Sequence, residues 1–418
     1  MQSNIQKYDV IVIGGGASGF FTAIQLTELR SDIKVLILEK TGNVLSKVKV
    51  SGGGRCNVTH APMPVKKLAK NYPRGERELR NLFQKFSSED TIAWFKKKGI
   101  SLKTEVDGRM FPESNTSQTI IDCFLNEAKK NNITIHTQCA VVDVKKTSAE
   151  FILSTSNLQT IQTPFIAVCT GGKPNANHYE WMKHVQKNIT DLHPSLFTFN
   201  AEQHTLKNLA GVSVPAARVR IQGSKLEEQG PLLITHWGLS GPVILRLSAW
   251  GAVELADKNY DFDALIAWDS SFTEVFLKEK ISEFIKTHQK KKITNTPIEP
   301  IPKRLWEMLI ATSDISEELI WNDISQKKTN KLIEQLMSFK FSVKGKTTFK
   351  EEFVIAGGVA LDQVNLETLE SKLIPGLYFA GEVLNIDGIT GGFNFQAAWT
   401  TAFMVAKSIA LNINNKSL

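Results

Sequence analysis

The stretch Tyr8-Asp9-Val10-Ile11-Val12-Ile13-Gly14-Gly15-Gly16-Ala17-Ser18-Gly19 decides the fold. Four apolar residues in a row, Val10–Ile13, read as a buried strand, and Ser18–Leu29 repeats its apolar positions at helical spacing. Between them stands a G-x-G-x-x-G turn. Val35–Leu38 is apolar again and ends at Glu39, twenty residues after Gly19. Strand, turn, helix, strand and acidic residue together predict a parallel βαβ unit that binds a dinucleotide. Gly14 permits the tight turn, Gly16 lets a pyrophosphate approach the backbone, and Gly19 lets the helix pack on the strand. The helix start, with Ala17 and Ser18, turns unpaired N–H groups toward phosphate. Glu39 accepts ribose hydroxyls, which disfavours a 2′-phosphate there. A glycine-rich turn without a ligand is the alternative.

Composition narrows the class. With 418 residues and about 150 per domain, two to three domains are expected. Hydrophobic residues make up 42% and charged residues 22%, which excludes a disordered, collagen-like or disulfide-stapled chain. No apolar run approaches the roughly 18 residues of a membrane span. Met1–Gln6 is polar and Val10–Ile13 too short for a signal-peptide core, so a cytoplasmic protein is expected, without membrane contact. The four cysteines, Cys56, Cys123, Cys139 and Cys169, show no CxxC pair and no zinc spacing, so no metal site is expected. The net charge of +8 is spread along the chain. Its one dense run, Lys290–Lys292, reads as a solvated loop, so charge alone selects no partner; without a clustered basic stripe with interleaved aromatics a nucleic-acid partner is not expected, and a small-molecule substrate is.

Farther along, Ser87-Ser88-Glu89-Asp90 predicts a capping box opening a helix that ends at Gly99. Asp107-Gly108 predicts a tight hairpin, Ser117–Lys130 a helix, and Phe165–Cys169 a buried strand stopped by Thr170-Gly171-Gly172. From about residue 195 separate strands follow, at Phe197–Phe199, Ala217–Ile221 and Leu232–Thr235. The expected organisation is an α/β FAD-binding domain in two parts, 1–194 and 351–418. A β-rich insertion over 195–270 interrupts it, with a helical subdomain over 271–338 and a return strand over 339–350.

Two further motifs carry chemistry. Leu377–Ala380 runs as a strand into Gly381-Glu382, and Gly391-Gly392-Phe393-Asn394 heads an apolar helix, Phe393–Ala410. A second glycine-lined helix start so far from the first suits a long cofactor, FAD. Glu382 then serves the ribityl hydroxyls or the phosphate-side backbone, and the helix start the flavin edge where negative charge gathers on reduction. An ordinary helix cap is the alternative. The third motif is Ser51-Gly52-Gly53-Gly54-Arg55-Cys56-Asn57, whose glycines offer N–H groups and whose Arg55 adds a fixed charge. A surface loop is the alternative there, and Cys56, without a partner cysteine nearby, reads as a cofactor-lining or buried thiol.

Together these elements resemble the BaiN-like family of bacterial NAD(P)/FAD-dependent oxidoreductases, also described as aminoacetone-oxidase-like. Its patterns are met at Tyr8–Gly19, Ser51–Asn57, Gly108–Pro112, Thr170–Gly172, Thr235–Pro242 and Gly381–Gln396. The resemblance implies a two-dinucleotide-binding-domain flavin fold with an inserted β-barrel-like domain and a small helical domain. It implies FAD held by Gly14, Ala17, Ser18, Glu39, Lys40, Lys47, Gly52, Gly54, Arg55 and Cys56. Val141 would meet the adenine through its backbone, and Thr170 and Gly171 would close over the cofactor. Gly381, Glu382, Gly391, Gly392, Phe393 and Asn394 would line the pyrophosphate, ribityl and flavin end. The chain departs from the family at His60 and at Lys173-Pro174-Asn175-Ala176-Asn177, where a glycine-rich turn is usual.

The expected chemistry is hydride transfer through flavin N5 between a small substrate or NAD(P)H and an acceptor. No second G-x-G-x-x-G marks a dedicated NAD(P)H site, so a nicotinamide would act as a transient reductant. His236, in Thr235–Pro242, is the candidate acid–base residue; its alternative role is to brace the helix start at Ser240-Gly241-Pro242, while His178 and His193 have weaker claims. Three other readings stay open: a tRNA-modifying flavoprotein, a nicotinamide-binding Rossmann protein without flavin, and a flavin-binding module without turnover.

Overall fold

The computed structural model describes residues 5–173, 176–182, 184–186, 188–201, 204–347 and 354–416. Met1–Asn4, the departure at Pro174-Asn175 and the expected boundary at 350/351 lie outside the described residues. The chain divides into two compact units, one of Met1–Pro194 with Lys350–Leu418 and one of Ser195–Phe349.

The first unit is built on a five-stranded sheet: β1 (Val10–Ile13), followed by helix α1 (Ala17–Leu29), β2 (Val35–Leu38), helix α2 (Gln118–Lys130), β3 (Thr134–His136), β4 (Phe165–Val168), β5 (Leu377–Phe379) and helix α3 (Phe393–Lys416). The strand order is β5-β4-β1-β2-β3 and every pairing is parallel. β1, β2, β4 and β5 are buried at every position, which is why they read as unbroken apolar runs rather than alternations. α1 is buried from Ser18 to Thr27, as its nearly continuous small and apolar sequence requires. Phe20 and Phe21 of α1 pack with Phe124 of α2 and Trp399 of α3 at ring separations of 5.4–6.2 Å. A four-stranded sheet, ordered Gln6–Lys7, Thr160–Thr163, Phe151–Thr155 and Val141–Lys146, completes the unit's larger sheets. The capping box is formed, with Ser87 accepting from Glu89 N–H and Asp90 from Ser87 N–H, and its helix runs Ser88–Lys97.

Register fixes where a ligand can bind. Ile13 pairs with Leu38 and Val168, and Val168 with Phe379, so β1, β2, β4 and β5 end at one level. The sheet grows from β1 through β2 and β3 on one side and through β4 and β5 on the other. The crevice beyond β1 and β4 is therefore the topological switch point, where open α/β sheets bind ligands.

The second unit holds a seven-stranded antiparallel sheet. Its order is Phe339–Lys344, Asp261–Ala267, Ser213–Ile221, Glu227–Thr235, Gly238–Ser240, Thr198–Asn200 and Lys346–Thr347. Its longest helices are Glu274–Thr287, Lys303–Thr312 and Gln326–Met337. Trp306 and Trp321 are buried there with their ring N–H groups donated to Ile293 O (2.8 Å) and Thr296 Oγ1 (2.6 Å). Among the described residues no helix is long and apolar enough to cross a membrane.

Two glycines of the first turn separate folding from binding. A Cβ on Gly19 would lie 1.9 Å from the Gly14 carbonyl oxygen, whereas one on Gly16 meets nothing within 4 Å. Gly19→Ala is expected to cost about 1–3 kcal/mol or more in chemical denaturation. Gly16→Ala should denature within about 0.5 kcal/mol of the parent while holding its dinucleotide less tightly.

Candidate active site

The loops that follow β1, β2, β4 and β5 build the crevice. Gly14 takes φ +112°, and a Cβ there would stand 2.4 Å from the Cys169 carbonyl oxygen, so only glycine lets the first loop lie against the loop after β4. α1 begins with no side-chain cap at Gly16 and no acidic residue in its first turn, which leaves its N–H groups to an anion. Glu39 leaves β2 beside this loop. Its Oε2 accepts from Gly15 N–H (2.9 Å) and its Oε1 from the Thr41 N–H and hydroxyl (both 2.8 Å). The Glu39 carbonyl accepts from Cys139 N–H (2.9 Å), bringing the strand that starts at Val141 alongside.

Glu382 ties the motifs together. Its Oε2 accepts from Lys47 Nζ (2.7 Å) and its Oε1 from Ile355 N–H (2.9 Å). A Cβ on Gly172 would meet its carboxyl carbon at 2.8 Å, and one on Gly381 would meet Ser18 Oγ at 2.6 Å. Gly381, at φ +77°, donates its N–H to Thr401 Oγ1 of α3 (2.8 Å). The first turn, the Thr170–Gly172 loop, Lys47 and the Gly381-Glu382 turn thus meet in one place.

The other glycine motifs meet a little farther along the same unit. Ser46–Gly54 is helical up to a kink at Ser51, after which Gly52, Gly53 and Gly54 take φ of +58°, +68° and +83°. Gly53 and Gly54 face open space, while a Cβ on Gly52 would press 2.9 Å from the Phe111 ring. The Asn57 carboxamide accepts from Gly392 N–H (2.9 Å) and donates to Thr59 O (3.1 Å). A Cβ on Gly392 would sit 2.4 Å from that same carbonyl. Buried Gln396 accepts from Thr59 (2.6 Å) and Thr91 (2.9 Å) hydroxyls, locking the head of α3 to the strand beside the SGGGRCN segment. The turn before α3 is equally fixed. Asn394 closes on both the N–H and the carbonyl of Gly388 (2.8 Å each), Tyr72 Oη donates to Phe393 O (2.6 Å), and Arg74 pairs with fully buried Asp387.

The surroundings of three expected site residues are now defined. Arg55 does not stand as an open charge: its Nη1 donates to Glu105 (2.6 Å), its guanidinium lies 4.0 Å from the Phe111 ring centre, and Arg109 shares the same carboxylate (3.0 Å). Cys56 is fully buried at φ +61°, and burial pushes its thiol up to about 12. His236 belongs to the second unit, on an exposed turn between two strands, and it is its backbone carbonyl that His204 Nε2 approaches at 3.4 Å. The helix start beside it is real, with Gly241 as N-cap and Pro242 in the first turn. Among the described residues no group of three or more His, Cys, Asp or Glu is placed to hold a metal ion.

Two features escaped the sequence. His60 stacks on Phe393 at 4.8 Å with rings 15° apart, directly before the head of α3. Lys173 and His178, just past β4, come beside Lys40 and Lys47: His178 Nδ1 lies 3.2 Å from Lys40 Nζ. No local spacing announces either, because each depends on segments that meet only across the sheet.

An uncapped helix start, an open glycine beside it, an acidic residue at the end of β2 and a second glycine-lined helix start in the same unit form a cradle that fits FAD. Residues 8–408 match the family described as "HI0933-like protein Rossmann domain". The chain belongs to this family. It is thereby a Rossmann-type FAD-dependent oxidoreductase. It is 29% identical over 421 residues to the ribosomal RNA dihydrouridine synthase of Escherichia coli, covering 97% of this chain and 98% of that protein. It is 26% identical over 415 residues to a 3-dehydro-bile acid delta(4,6)-reductase of Clostridium scindens, covering 96% and 98%. Among solved structures, a 3-ketosteroid-delta4-(5alpha)-dehydrogenase from Rhodococcus jostii superposes with TM-score 0.51 at 11% identity over 97% of each chain, a likeness of fold alone.

Two measurements check this geometry. Burial pushes the thiols of Cys56 and Cys169 up to about 12, which keeps them protonated at pH 8. Native protein should leave both unalkylated by iodoacetamide as pH rises to 9, and denatured protein should react at both. Arg74→Ala removes the cation paired with the fully buried Asp387 carboxylate and is expected to cost about 3–5 kcal/mol in urea unfolding.

Proposed function

We propose that this protein uses FAD to saturate a carbon–carbon double bond conjugated to a carbonyl. The observation that carries this reading is chemical agreement between two relatives matched over nearly their whole length. Dihydrouridine is uridine with two hydrogens added across a double bond conjugated to a ring carbonyl. A 3-dehydro-bile acid delta(4,6)-reductase, by its name, acts on double bonds conjugated to a 3-ketone. The two substrates differ in everything except that unit.

FAD, held by the cradle residues, would supply the two-electron hydride chemistry. The protein's part is to hold and orient. Gly14, Gly16, Ala17, Ser18 and Gly19 would receive the pyrophosphate at the start of α1, and Glu39 the adenosine side, next to Val141, with Lys40 between adenosine and pyrophosphate. Lys47, Thr170, Gly171, Gly381 and Glu382 would line the middle of the cofactor. Ser51, Gly52, Gly54, Arg55, Cys56, Gly391, Gly392, Phe393 and Asn394 would surround the flavin end, where the α3 dipole favours the negative charge of the reduced ring. The neighbouring carbon then needs a proton. His236 is one candidate and His60, held flat on Phe393, the other; the pH profiles of His60→Gln and His236→Gln separate them.

NADH or NADPH serves as the transient reductant in this reading, in the cytoplasm. We read the second unit as an inserted β-barrel-like domain with a helical subdomain. Its support is that one stretch, Phe339–Thr347, supplies the strands at both edges of the seven-stranded sheet.

Purified protein should be yellow and should bleach anaerobically with NADH or NADPH. Turnover should then be assayed on ribosomal RNA from a strain lacking the gene and on a 3-oxo-4,6-diene steroid, reading the gain of two hydrogens by mass spectrometry. Saturation of either supports the proposal and names the substrate class. A reduced enzyme that passes electrons to oxygen and leaves both alkenes intact would sink it. A colourless protein that cannot be reconstituted with FAD would sink the cofactor assignment too.

A further inference from the structure

We propose that the segment after β4 forms a second wall of the dinucleotide site, in which Lys173, Tyr179 and His178 join Lys40 and Lys47 to grip the diphosphate of FAD. The inference rests on the cofactor reading above and adds three residues to it.

Charge placement comes first. Lys173 is half-buried two residues past Gly171, and the charges around it are Lys47, Lys40, Glu382 and Glu39. Glu382 is already engaged by Lys47 (2.7 Å) and Ile355 N–H (2.9 Å), and Glu39 by Gly15 (2.9 Å) and Thr41 (2.8 Å). Among the described residues Lys173 makes no ion pair. His178 adds a ring nitrogen 3.2 Å from Lys40 Nζ. Burial and the neighbouring lysines hold Lys173 below the usual lysine range and, with Lys173 itself, His178 below the usual histidine range. Cations gathered in this way repel one another until an anion arrives.

The second observation is independent of charge. Tyr179 is 4% exposed, and its Oη meets the Lys173 backbone without completing a well-formed hydrogen bond and has no side-chain partner among the described residues, with Glu382 nearby. A buried phenol left short of partners favours a ligand that completes its hydrogen bonding, and here it stands against the Lys173 backbone. An anion that meets both the phenol and the cations is the ligand this arrangement lacks. The place agrees, since Gly172 abuts Glu382, and Gly381 next to Glu382 abuts Ser18 at the open start of α1. A diphosphate lying on the helix start therefore has the helix N–H groups on one side and this wall on the other.

The test is the dissociation constant of FAD for deflavinated protein, followed by flavin fluorescence at low salt and at about 1 M salt, where charge contacts are screened. Lys173→Ala is expected to raise it about tenfold or more at low salt and much less at high salt. Lys173→Arg should stay near wild type. Tyr179→Phe, which removes one oxygen and keeps the packing, should raise it about threefold at both salts. Lys130→Ala, on the exposed end of α2, is the control. FAD affinity within twofold of wild type for both Lys173→Ala and Tyr179→Phe would overturn the second wall and leave the cofactor reading standing. So would a loss in Lys173→Ala that is equal at both salts, since that marks packing rather than charge. Wild-type protein that binds no FAD at all would instead overturn the reading on which this wall depends.

Discussion

The unpaired N–H groups at the start of α1 are the constraint from which the site follows. A helix start that is both uncapped and enclosed is costly unless an anion meets it. Everything nearby keeps that approach clear. Gly14 lies backbone to backbone on Cys169, Gly19 lies under the Gly14 carbonyl, and Gly16 is left with nothing in front of it. The carboxylates of Glu39 and Glu382 flank the gap but are tied down by backbone N–H groups and Lys47, so they border the opening without filling it.

The head of α3 is prepared by different means. Its glycines are fixed by neighbours rather than left open: Asn57 holds Gly392, Asn394 holds Gly388, and the Arg74–Asp387 pair anchors the turn before them. Gln396 and Trp399, one turn in, reach Thr59 and the Val58 carbonyl (2.9 Å), so the chain that follows the SGGGRCN segment is tied to α3 by side-chain hydrogen bonds. Rigid support of this kind is what a redox cofactor needs if the distance to its reacting atom is to stay constant.

How much of this was legible in the sequence depends on how local each signal is. The βαβ unit could be read because strand, turn, helix and acidic residue are contiguous and their spacing is set by backbone geometry. The α3 start and the Ser51–Asn57 segment could be read as glycine motifs, though not that Asn57 would join them. Arg55 looked like an open cation because its partner Glu105 lies fifty residues on, across a hairpin. Lys173 stood out only as part of a departure from the family pattern and His178 only as a weak acid–base candidate, while Tyr179 gave no signal, since their neighbours Lys40, Lys47 and Glu382 come from distant segments. His60 stood out only as a departure from the family pattern, and its stacking on Phe393 is a contact between the two ends of the polypeptide.

The two ribbons that lead away from the first unit and back into it, Ile189–Ser195 and Val354–Val359, form a two-stranded sheet of their own. Thr190 clasps both the N–H and the carbonyl of Gly358 (3.0 and 3.1 Å), and Gly357 has no room for a side chain against the Asp191 carbonyl. The outgoing and incoming chain are therefore zipped together at the root. A stem closed on itself in this way pins the points at which the chain leaves and re-enters the first unit, whatever the length of the stretch between them.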